Sequence, residues 1–214
     1  MKSSKKRKKQ SEKILKTLKV PINKHLPLTE NEEEVSLRTK EEIINRIISL
    51  AIVSAKAMEA PPEKIEEFIE RYNANELFTE EEQNFLKKKQ PNQNELIQYS
   101  WKLECIWLLL WSVNLISDID VPAETCNAEY VFETVFSLHS KQELLGESSL
   151  KPTSDILDSL DFIYRAHWAV REAQINHLEV PSSLDEGVVY ERHYTLNWLV
   201  NYMDQEWEEI STDT

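Results

Sequence analysis

Five side chains able to do acid–base or anion-binding chemistry fall in two segments near the end of the chain. DFIYRAHWAVREAQIN carries His167 and Arg171 four residues apart, and VVYERHYTLNWLVNYMDQEW carries His193, Asn197 and Asp204. At helical periodicity each set lies at the edge of an apolar arc: Val189, Leu196, Leu199, Val200, Met203 and Trp207 in the second segment, Ile156, Leu160, Ile163 and Val170 in line with His167 in the first. Two chemistries fit. In one, a hydrolase or transferase acts on an anionic small molecule, with His193, Asp204 and His167 as candidate acid–base groups. Arg171 and Arg192 would then clamp the anion, and Tyr190 and Asn197 would complete the ligand-binding set. In the other, the polar groups satisfy one another across the two helices, because a buried polar group without a partner costs about 1–3 kcal/mol.

Other catalytic patterns are weaker. A helical zinc site needs two histidines four apart with a third ligand, whereas the histidines here stand at 25, 139, 167, 177 and 193, so no metal is expected. Ser100, Ser112 and Ser159 lack the glycine that sharpens a nucleophile elbow. Cys105 and Cys126 form no CxxC pair and have no basic neighbour that would favour the thiolate. Glu104 lies inside an apolar run, either buried with a raised pKa or paired with Lys102 or an arginine.

Helices must position these groups. Two glycines in 214 residues exclude phosphate-cradling loops and tight hairpins, and no cofactor is called for. Helix starts recur instead: Thr39 with Glu42, Pro61 and Pro62, Thr79 with Glu82, Asn92 or Asn94, Ser140 with Glu143, and Ser154. The runs IINRIISLAIVSAKAM and ELIQYSWKLECIWLLLWSVNLI are apolar nearly all round and belong in a core. Asp161 and Arg165 pair at i, i+4 on the solvent side, worth a few tenths of a kcal/mol. The closing helix spans about Val188 to Trp207. The expectation is an all-α protein: a single compact domain of seven or eight helices over residues 25–214, preceded by a basic tail over residues 1–24 that is disordered or a short amphipathic helix.

Charge divides along the chain. Residues 1–24 hold ten of the 25 Lys and Arg but one of the 38 acids, which leaves residues 25–214 with 15 basic and 37 acidic side chains, a formal charge of −22. So acidic a body repels phosphate and anionic lipid and attracts a basic protein partner. Contact with anionic membrane or RNA is left to the tail, through Lys5, Lys6, Arg7, Lys8 and Lys9.

PINKHLP, SWKLECIWLLLW, IYRAHWAVREAQIN and GVVYERHYTLNWLVNYMDQEWEEISTDT together resemble a bacterial family, domain of unknown function 4272. The resemblance covers most of residues 20–214 and implies a helical, cytoplasmic bacterial protein, with no activity or site residue attached to it. Absent glycine loops, metal spacing and an elbow, the first functional expectation is a non-enzymatic binding or interaction module with an acidic surface. The acid–base enzyme is the alternative.

Overall fold

The structure, a computed structural model, describes residues 2–214. Among them every regular element is helical. The nine α-helices are α1 (Ser4–Thr17), α2 (Lys40–Ala57), α3 (Pro62–Tyr72), α4 (Glu80–Lys87), α5 (Gln93–Ser112), α6 (Ala128–Phe136), α7 (Lys141–Glu147), α8 (Thr153–Ile175) and α9 (Glu186–Leu199). Short 3₁₀ turns follow at Ala74–Glu76, Tyr202–Asp204 and Trp207–Glu209. The helix beyond the expected eight is α1, in the segment read as disordered or amphipathic.

Local chemistry sets most boundaries. Thr39, Thr79 and Asn92 each form a reciprocal capping box with the Glu three residues on. Ser140 accepts the Glu143 N–H, while the Glu143 carboxylate takes the N–H of His139 at 2.7 Å. Ser154 does not cap α8, which starts at Thr153 behind Pro152 (φ −54°), two residues earlier than a Ser154 cap would place it. The largest departure is at the end of α9. Asn201, Met203 and Asp204 all take left-handed backbone, so the helix stops at Leu199 rather than running to Trp207.

The chain divides into two compact units, one of residues 39–117 and 126–150, the other of residues up to Arg38, 118–125 and 151–214. In the first, α2 lies along α5, each with ten or more buried residues. Phe85 stacks on Tyr99 at 4.1 Å, and Phe68 on Phe136 at 3.8 Å. Glu104 is buried in α5, where its carboxylate accepts the Cys126 N–H.

The second unit carries the residues singled out for chemistry. Here α8 packs against both α1 and α9 around Leu15, Val20, Ala166, Ala169, Val170, Leu184 and Val189. Docking of α1 follows from its composition. Ser4, Arg7, Ser11 and Leu15 recur on one face, the serines are small enough for close approach, and Arg7 meets Asp158 of α8 at 3.2 Å. Burial of Leu15 alone contributes about 1.5–3 kcal/mol. Arg7, expected among the surface cations, is therefore inside, and Lys8 spends its ammonium on the carbonyls of Lys24 and Leu26.

Asp161 and Arg165 also differ from the expected solvent pair. Both are buried, bonded twice at 2.8 and 2.9 Å, because the extended segment after α1 covers them. Arg165 donates to the Pro27 carbonyl and Thr29 donates to Asp161. Arg38 anchors the other end of that segment to the carbonyls of Leu199 and Gln205. No helix among the described residues is long and apolar enough to cross a membrane.

Candidate functional site

Packing of α8 on α9 brings two of the predicted residues into direct contact. His167 Nδ1 and His193 Nδ1 are 2.8 Å apart, with the rings edge to face at 5.0 Å. Two ring nitrogens at this distance need one proton between them, so one imidazole donates from Nδ1 and the other accepts there. Burial lowers the pKa of His167 to about 4, helped by the charge of Arg171, and that of His193 to about 3, helped by His167. At neutral pH the pair is uncharged.

Tyr190 stands edge-on to His167 at 6.0 Å, and Tyr164 of α8 tilts against His193 at 5.9 Å. Asn197, one turn beyond His193, donates its Nδ2 to the Ser211 carbonyl at 2.7 Å. That bond is possible because the chain reverses after α9. Trp207 then lies edge-on to Tyr194 and Trp198, each at 5.2 Å, and the Tyr194 hydroxyl donates to the Trp207 carbonyl.

The remaining candidates go elsewhere. Arg171 is exposed and donates to Gln174 at 2.9 Å. Asp204 is exposed and accepts from Asn201 at 2.9 Å. Arg192 is buried and donates to the Asp120 carbonyl. Early termination of α9 explains Asp204: without a continuous helix it leaves the face that holds His193 and Asn197. The anion clamp foreseen in Arg171 and Arg192 is not assembled around the histidines, and among the described residues no three His, Cys, Asp or Glu side chains converge as a metal set.

Beside the histidine pair lies a cavity of about 410 Å³, within the usual range for small-molecule sites. His193 and Asn197 line it from α9, Leu160 and Tyr164 from α8, and Tyr202 and Asp213 from the reversed chain end. Pro27 to Glu30 line it as well. His193 Nε2 and Asn197 Oδ1 have no partner among the described residues, and neither is sealed from solvent. Among the described residues the carboxylates of Glu30 and Asp213 make no hydrogen bond or ion pair. Burial raises the pKa of the Tyr164 and Tyr202 phenols, and the charges of Asp213 and Glu30 raise that of Tyr202 further, so both stay protonated. Among the described residues no lysine or arginine lines this cavity.

Glu30, Tyr164, Tyr202 and Asp213 were not among the residues the sequence singled out. Tyr164 sits on the apolar line of α8 and reads as core. Glu30 and Asp213 lie outside regular helices, where no periodicity assigns a side chain to a face, and Tyr202 falls in the 3₁₀ turn after α9 rather than in the continuous closing helix expected there.

Fold and site together define an all-helical protein whose neutral histidine pair borders a carboxylate-lined, ligand-sized cavity. The chain belongs to the family described as Domain of unknown function (DUF4272), whose sequence profile matches residues 7–210. No curated protein and no solved structure matches it.

Proposed function

We propose that the protein is a non-enzymatic binding module whose cavity between α8, α9 and the segment 27–30 takes a cationic amine. One observation carries this reading: Glu30 and Asp213 line the cavity, their carboxylates have no hydrogen-bond or ion-pair partner among the described residues, and no lysine or arginine of those residues lines it. An ammonium entering there gains two carboxylates and the faces of Tyr164 and Tyr202, each face worth about 0.5–2 kcal/mol to a cation. His193 suits the same ligand. With its Nδ1–H donated to His167, its Nε2 is a lone-pair acceptor on a residue that lines the cavity.

Acid–base catalysis gains less from this arrangement. A general base works best with a pKa near the operating pH, and His193 at about 3 holds a proton too weakly. Asp204, the intended second group, points away. The acidic surface adds long-range attraction for a cation. A free amine and a lysine side chain of a basic protein present the same ammonium, and the two sources separate by experiment. A cytoplasmic setting accords with Cys105 and Cys126 remaining thiols.

Calorimetric titration with butylamine, butanol, butyrate and a lysine-rich peptide tests the reading. Butylamine is expected to bind one site and to lose roughly two- to fivefold in affinity with Glu30→Gln or Asp213→Asn, the scale of a partly exposed ion pair. Peptide binding stronger than that of butylamine would assign the site to a protein partner. Equal binding of butanol or butyrate overturns the amine assignment.

A further inference from the structure

The docking of α1 sorts its side chains by role. Ser4, Arg7, Ser11 and Leu15 are buried, while Lys5, Lys6, Lys9, Lys13 and Lys16 are exposed. At about 100° per residue these five lysines fall in one arc about 100° wide, roughly opposite the buried stripe. None of the five ammonium groups makes an ion pair or hydrogen bond among the described residues. Cations elsewhere in this region are spoken for: Lys2 and Arg7 by Asp158, Lys8 by two carbonyls. The face is thus a preformed row of unpartnered positive charge on a helix held in place by its other side.

We propose that this face of α1 docks on the phosphate backbone of a nucleic acid. From Lys5 to Lys16 the row is about 17 Å long at 1.5 Å per residue. A duplex presents a phosphate about every 1.7 Å of axis over its two strands, so a row of this length runs beside about ten phosphates, enough to offer one to each of five lysines. A lipid bilayer fits less well. Amphipathic helices hold membranes through buried apolar area as well as charge, and the apolar side of α1 is spent inside the protein, with Leu15 fully buried. Ile14, its one exposed apolar residue, lies off the lysine arc. Nothing in the row reads base edges, so contact is independent of sequence. The acidic remainder of the chain repels phosphate, which confines contact to this face and makes it steeply dependent on salt.

Fluorescence anisotropy of a labelled duplex of about 20 base pairs against the full chain, between about 50 and 200 mM salt, tests the assignment. Binding is expected at the low end, with log K falling against log salt at a slope of about −4.5 for five contacts. Lys9→Gln with Lys13→Gln, both at exposed positions, should reduce that slope to about −2.7. Vesicles with one third phosphatidylserine serve as the second arm and are expected to bind more weakly than the duplex. Absence of duplex binding at low salt, an unchanged slope in the double variant, or tighter binding to the vesicles overturns the proposal.

Discussion

His167 on α8 and His193 on α9 share one proton across 2.8 Å between their Nδ1 atoms. The bond joins the two helices at the wall of the cavity and couples the ends of the pair. Whichever ring donates at Nδ1 presents a bare Nε2, and the other presents Nε2–H. A ligand that donates to His193 therefore selects the tautomer of both rings without moving a charge.

Stability should follow the state of this pair as acid is added. Both imidazoles titrate near 6.5 when unfolded, but at about 4 and about 3 when folded. Below pH 6.5 the unfolded chain binds more protons, so the stability present above that pH is lost as pH falls toward the folded values. The slope is at most about 1.4 kcal/mol per pH unit for each imidazole. Urea midpoints measured from pH 7.5 to 5, above the ordinary carboxylate range, should decline below 6.5. A midpoint flat across that interval would show that the rings are not held neutral.

Removing one ring should cost more than removing both would suggest. His193→Phe strands a buried Nδ1 on His167, and His167→Phe does the reverse, each at about 1–3 kcal/mol. In the double Phe variant neither nitrogen is left behind, so its loss should fall short of the sum by about 1 kcal/mol or more. Strict additivity in a double-mutant cycle contradicts the shared hydrogen bond.

Asp161→Asn tests the covered ion pair on α8. With Asp161 and Arg165 both buried, breaking the pair should destabilise the fold by about 3–5 kcal/mol. A loss of a few tenths of a kcal/mol, the value for a solvent-exposed i, i+4 pair, would show that the segment 20–30 does not cover it.

That pair also marks how far sequence carries. Helices α2 to α9 and the caps at Thr39, Thr79 and Asn92 are legible because capping and periodicity act within four residues. The approach of His167 to His193 is legible for the same reason: each lies on an inward arc of a neighbouring long helix. Burial of Asp161 and Arg165 depends on Pro27 and Thr29, more than 130 positions away, and nothing local to α8 records it. Arg7 and Asp158 are 151 positions apart, which is why the docking of α1 could not be read from residues 1–24, expected as a tail that is disordered or a short amphipathic helix. Asp204 was misplaced because Asn201 and Met203, both compatible with a helix in sequence, take left-handed backbone. The cavity's acidic character followed it out of sight, since Glu30 and Asp213 come from segments with no period to read.

The proposed occupant of the cavity against His193 is an ammonium. Side-chain nitrogen NMR of His167 and His193 at neutral pH, with and without butylamine, reports it at the atoms concerned. Binding should leave His193 with a bare, hydrogen-bond-accepting Nε2 and a protonated Nδ1, and His167 with a bare Nδ1. Butylamine that binds while both rings keep their resonances unchanged, or that leaves His193 protonated at Nε2, would contradict the account.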